Sequence, residues 1–119
     1  MFDLLLLEGL DLGGELTTAD KAFLERFTEA KTMNLSYCYL RSLKNLPVIA
    51  GLERLDLADN NLNGEDLHIV HSTYKKLRAL KLSNNAIRNL DYVALLSKLP
   101  ELKTLDLSAN PITDMNNYR

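Results

Sequence analysis

The sequence predicts an α/β solenoid, with about five short parallel strands on a concave face and helices and 3₁₀ turns returning the chain on a convex one. A frame of apolar residues recurs four times. It reads Ala30, Met33, Leu35, Cys38, Leu40; then Leu52, Leu55, Leu57, Asn60, Leu62; then Leu77, Leu80, Leu82, Asn85, Ile87; then Leu102, Leu105, Leu107, Asn110, Ile112. This is the leucine-rich repeat pattern L-x-x-L-x-L-x-x-N/C-x-L. Successive copies, measured at Leu35, Leu57, Leu82 and Leu107, are 22, 25 and 25 residues apart, inside the roughly 20 to 29 that one such unit occupies. Within each copy, triplets such as Leu55-Asp56-Leu57 alternate like a strand with one buried face.

The elements follow in order. A degenerate first copy at Leu5, Leu7, Leu10 and Leu12 places a strand near 4–7. Thr17-Thr18-Ala19-Asp20 resembles a capping box and predicts a convex helix carrying Ala22, Phe23 and Phe27. The second strand falls near 32–36. Its return, Arg41 to Ala50, is interrupted by Pro47 and predicts turns or a short 3₁₀ piece. A third strand lies near 54–58. After it, Gly64 can turn the chain into a helix on which Leu67, Val70 and Tyr74 share a face. The fourth strand lies near 79–83, and Asp91 then caps a helix bearing Val93, Leu96 and Leu99, closed by Pro100. The fifth strand falls near 104–108. Residues 1–119 therefore read as one repeat domain.

Composition narrows the function classes. With 46% hydrophobic and 25% charged residues the chain is ordinary for a globular domain, so the leucines serve one stacked core. The net charge of −2 is too small to argue for nucleic acid or an acidic membrane as a partner. A single cysteine excludes an internal disulfide and a multi-cysteine zinc site. The opening Met1 to Glu8 lacks a basic segment and carries Asp3, against a secretory signal, and no apolar run approaches the roughly 20 residues of a membrane span. Cytosol or nucleus is the expected setting.

No catalytic, metal or cofactor motif is found, and the chain reads as non-enzymatic. His68 and His71, with Glu65 and Asp66 before them, fit a solvated convex face better than a metal site. Lys75-Lys76-Leu77-Arg78 reads as a solvated helix end. The ninth frame position, held by Cys38, Asn60, Asn85 and Asn110, suits a small polar group that satisfies buried backbone at each corner. The concave face is the better candidate site. Between the strand leucines stand Leu6, Asn34, Asp56, Lys81 and Asp106, followed by Ser36 and Tyr37, Ala58 and Asp59, Ser83 and Asn84, Ser108 and Ala109. From these, Asn34, Tyr37, Asp56, Asp59, Lys81, Asn84 and Asp106 are expected to contact a protein partner, with Tyr37 as aromatic anchor.

From Leu16 to Arg119 the chain resembles the acidic leucine-rich nuclear phosphoprotein family. Leu52 to Asn60 looks like that family's second complete repeat, Leu80 to Ile87 with Leu90 like its third, and Leu102 to Leu107 with Ile112-Thr113 and Asn117-Tyr118-Arg119 like its fourth repeat running into a cap. Asn110 to Thr113 and Tyr118-Arg119 are also similar to the spliceosomal A-prime leucine-rich repeat proteins. The first resemblance implies a module that binds proteins as regulator or chaperone, with phosphatase inhibition and histone binding among the family's activities. The second implies a scaffold subunit of a ribonucleoprotein. The family's acidic tail and its cap, a further helix and strand after Tyr-Arg, have no counterpart here. Two uncapped ends, at Leu4 to Leu7 and at Leu105 and Leu107, are therefore expected, in a fragment of a longer protein or a chain that associates end to end.

Overall fold

The structure is a computed structural model that describes residues 4–114 of the chain. Five strands, β1 (Leu4–Leu6), β2 (Thr32–Asn34), β3 (Arg54–Asp56), β4 (Ala79–Lys81) and β5 (Thr104–Asp106), lie side by side in chain order. Every pairing is parallel, and the register aligns Leu5, Met33, Leu55, Leu80 and Leu105 across the sheet. Each regular strand spans three residues and is shorter than expected from the sequence. The reason is a corner: Tyr37, Asp59, Asn84 and Ala109 adopt left-handed backbone angles (φ 56°, 59°, 55° and 57°), as does Gly9 (φ 84°). Cross-strand bonding nevertheless continues around it. The amides of Leu7, Leu35, Leu57 and Leu82 donate to Asn34, Asp56, Lys81 and Asp106, and those of Gly9, Tyr37, Asp59 and Asn84 to Ser36, Ala58, Ser83 and Ser108.

The frame leucines form one elongated core, with Met33, Leu35, Leu52, Leu57, Leu80 and Leu82 all buried. Below the corner runs a ladder of buried amides. Asn60 accepts at Oδ1 from the amides of Cys38 (3.0 Å) and Leu40 (2.9 Å) and donates from Nδ2 to the carbonyls of Leu35, Leu57 and Ala58. Asn85 and Asn110 repeat the pattern one and two units later. At the head of the ladder the Cys38 thiol donates to the carbonyl of Leu7 at 3.0 Å. The ladder satisfies backbone groups, among them the amides of Cys38, Leu40, Leu62 and Ile87, that the tight bend would otherwise leave unpaired in the interior.

The convex side is uneven. Helix α1 (Thr18–Leu24) begins at a complete capping box, Thr17 Oγ1 accepting from Asp20 N and Asp20 Oδ2 from Thr17 N. It buries Leu24, whereas Phe23 is 54% exposed and meets Phe27 edge to face at 5.4 Å. Residues 41–50 form turns and bends with no 3₁₀ helix. Long-range bonds hold that stretch. The Tyr74 hydroxyl donates to Pro47 O, Glu25 Oε2 accepts from Val48 N (2.7 Å), and Asp66 Oδ2 accepts from Leu43 N and Ser42 Oγ.

Helix α2 (Leu67–Thr73) follows Gly64, whose φ of 97° supplies the turn, and buries Leu67 and Val70, with Tyr74 buried just beyond. Helix α3 (Leu90–Ala94) runs into a 3₁₀ turn, Leu95–Lys98, that buries Leu96. Its cap is Asn89, which accepts from Asp91 N, so Asp91 lies in the first turn and is not the cap. A second 3₁₀ turn, Pro111–Asp114, follows the last repeat. Among the described residues β1 and β5 each pair on one side only, and no helix is long and apolar enough to cross a membrane. Asn117, Tyr118 and Arg119, on which the reading of the cap rests, lie outside the described residues.

Candidate protein-binding face

The register sorts the outward side chains of the sheet into rows. Leu4, Thr32, Arg54, Ala79 and Thr104 form the first, and Leu6, Asn34, Asp56, Lys81 and Asp106 the second. The left-handed corner residues Gly9, Tyr37, Asp59, Asn84 and Ala109 form the third. The seven residues singled out from sequence thus occupy two adjacent rows. Two neighbours expected beside them do not reach the surface. Ser36 and Ala58 are only 5% and 7% exposed, because the corner turns them inward against the ladder.

Several of these side chains are fixed by their own backbone. Asn34 Oδ1 accepts from Ser36 N (2.9 Å) and Oγ (2.7 Å), Asp56 Oδ1 from Ala58 N (3.0 Å), and Asp106 Oδ1 from Ser108 N (2.9 Å) and Oγ (2.7 Å). Such bonds to the residue two further on hold the side chain in one rotamer and sharpen the corner. The Ser108 hydroxyl and amide, with a smaller contribution from the nearby Lys81 charge, keep the Asp106 carboxyl below its ordinary range. In the corner row Asn84 Nδ2 donates to Asp59 Oδ1 at 2.7 Å. Tyr37 is 55% exposed.

Between β1 and β4 the sheet forms a shallow concavity whose lining includes Leu4, Thr32, Asn34, Arg54, Asp56 and Lys81, with Leu55 as its floor. Sequence reasoning did not single out Arg54 and Leu4. Each sits two residues before a residue already placed on the face, so the period of a strand was the signal that would have found them. Tyr39, 62% exposed and left-handed (φ 60°), was missed as well and lines a separate open groove with Asp11 and Arg41.

Elsewhere the chemistry is structural. The His68 ring Nδ1 lies 3.0 Å from the Glu65 carbonyl, and Asp66 accepts from the Ser42 hydroxyl and the Leu43 amide. Among the described residues no three His, Cys, Asp or Glu side chains converge on a site for a metal ion. Burial raises the pKa of the Cys38 thiol. Burial also raises that of the Tyr74 phenol, with a smaller contribution from the Glu25 charge.

With the repeats and their corner ladder in view, the comparisons with known proteins agree with the geometry. A family model described as "Leucine Rich Repeat" matches residues 51–72, and one described as "Leucine Rich repeats (2 copies)" matches residues 75–119. The units of this solenoid are leucine-rich repeats. The chain is similar over nearly its whole length to an acidic leucine-rich nuclear phosphoprotein 32-related protein of Plasmodium falciparum, 29% identical over 116 residues that make up 97% of this chain and 41% of the relative. A protein of Tetrahymena thermophila named as a histone is 34% identical over 99 residues, 83% of this chain and 25% of that protein. Among solved structures, a chain of the Drosophila melanogaster SNF/U2A′ complex superposes with a TM-score of 0.74 and 27% identity, over 98% of this chain and 63% of that one. The present chain spans less than half the length of these two curated relatives.

Proposed function

We propose that this chain is a non-enzymatic protein-binding module of a nuclear regulator or chaperone, taking its partner on Asn34, Tyr37, Asp56, Asp59, Lys81, Asn84 and Asp106. The observation that carries the reading is the pre-ordering of that strip. Its acceptors are locked by bonds to their own backbone and its corner residues by the ladder, so a partner loses little entropy in ordering the surface. Similarity to a nuclear phosphoprotein relative and to a histone-named protein supports a nuclear setting; a phosphatase or a histone is the client that the resemblance to the acidic leucine-rich nuclear phosphoproteins implies.

Affinity capture from nuclear extract with the wild type and with Tyr37→Asn and Asp56→Asn tests this. Asparagine tolerates the left-handed angle at 37 and keeps the acceptor at 56. Loss of the same partner from both variants is expected; retention of every partner by both refutes the assignment. Likeness to a chain of the SNF/U2A′ complex favours a second reading, a ribonucleoprotein scaffold. Capture of an RNA-binding protein, resistant to nuclease, would select it. End-to-end association through β1 and β5 belongs to the same proposal, and a concentration-independent monomer in sedimentation would remove it.

A further inference from the structure

We propose that the concavity between β1 and β4 takes an acidic protein segment, its carboxylates on Arg54 and Lys81 and an aliphatic side chain over Leu4. The inference rests on the reading of the concave sheet as the binding face and adds the chemistry of what binds there.

The argument begins with unmet hydrogen bonding. The acceptors of this face are in part committed, one oxygen each of Asn34, Asp56 and Asp106 being engaged by the backbone two residues on. The donors are not. Arg54 and Lys81 are exposed, and among the described residues neither makes an ion pair or a side-chain hydrogen bond. The register places Arg54 on β3 and Lys81 on β4, one strand and two residues apart, and both line the same concavity. Adjacent strands are about 4.8 Å apart, so one short segment can reach both heads. The concavity therefore holds two unpaired cations against one carboxylate, Asp56, and a guanidinium takes a carboxylate through two parallel bonds.

Charge along the sheet gives the direction. Just before the strands, among the described residues, Lys31, Arg78 and Lys103 are exposed and Glu53 is half-buried, joined by shared backbone bonds. At the strand ends stand Asp56, Asp59 and Asp106. Lys81 stands in register between Asp56 and Asp106, so a bound carboxylate is drawn most strongly to Arg54, nearer the strand starts. The apolar contribution comes from Leu4, 50% exposed at the edge of the concavity, with the partly buried Ala79 in the same lining.

The test uses two labelled peptides of equal length, one of Glu and Leu and one of Lys and Leu, titrated by fluorescence anisotropy. The Glu/Leu peptide is expected to bind the wild type, to weaken as salt rises, and to lose on the order of tenfold or more in affinity to R54E/K81E. Leu4→Ser is expected to weaken binding while leaving the salt dependence unchanged. Both cations are exposed, and R54Q/K81Q, whose circular dichroism should match the wild type, guards against misfolding. No binding of the Glu/Leu peptide, tighter binding of the Lys/Leu peptide, or equal binding by R54E/K81E would each overturn the proposal. If Tyr37→Asn and Asp56→Asn still abolish partner capture while the acidic peptide fails, the binding face stands and its acidic ligand falls. If capture survives them, the underlying reading falls instead.

Discussion

Replacing Asn60 by leucine removes the best-connected rung of the amide ladder at nearly constant volume. Five backbone groups lose a partner, but not equally. The Leu57 carbonyl keeps the Asn85 amide and the Ala58 carbonyl keeps Tyr37 N. Cys38 N, Leu40 N and Leu35 O are left with nothing. An orphaned buried group costs about 1 to 3 kcal/mol, so three of them cost at least about 3 kcal/mol from a typical total of about 5 to 15. The same substitution at Asn85 orphans only Leu62 N, since Leu57, Leu82 and Ser83 retain other donors. At Asn110 it orphans Ile87 N and Leu107 O. The expected order of damage is therefore Asn60, then Asn110, then Asn85. Urea unfolding followed by circular dichroism reads it directly. With a slope of about 1 to 3 kcal/mol per molar urea, the midpoint for Asn60→Leu should fall by about 1 M or more. Equal loss at all three positions, or the reverse order, would refute the accounting by orphaned groups.

Three further outcomes follow from single contacts. Thr17→Ala breaks the capping box of α1 and should cost about 1 kcal/mol, read as a shifted urea midpoint. Glu25, whose carboxyl is held below its ordinary 4.5 by hydrogen bonds from Lys21 and Val48 N, contributes stability that is complete above that value and is lost as pH falls through the lower folded one. Glu25→Gln should flatten this part of the acid-side decline in stability. The Cys38 thiol is fully buried and its pKa raised, so alkylation by iodoacetamide should be slow in the native protein and rise sharply only where urea unfolds it; rapid native labelling would contradict the packing.

The stacking of this fold was legible because one frame carries both the core and the register. Once Leu35, Leu57, Leu82 and Leu107 are aligned, every neighbouring position is aligned too. The corner was half legible. Gly9, Asp59 and Asn84 are residues that tolerate a left-handed backbone, while Tyr37 and Ala109 give no such local signal and bend because their repeats do. Helix phase was ambiguous at α1, where two turns place Phe23 and Leu24 almost equally well and only packing chooses Leu24. At α3, Asn89 and Asp91 both suit a cap, and the backbone decides for Asn89. What could not be read at all were bonds between distant segments, such as Glu25 to Val48 and Asp66 to Leu43, which replace a helix in the return containing Pro47. For the same reason Ser36 and Ala58 looked like surface. Their burial depends on how sharply the neighbouring units turn.

The claim that a protein partner lies on the concave sheet is tested most directly by position-specific cross-linking. A photo-reactive residue placed at 81, in the concavity, is compared with one at 68, on the convex helix; Lys81 and His68 are both exposed. In nuclear extract the partner should cross-link strongly from position 81 and little from position 68. Cross-linking from 68 with none from 81 would contradict the account.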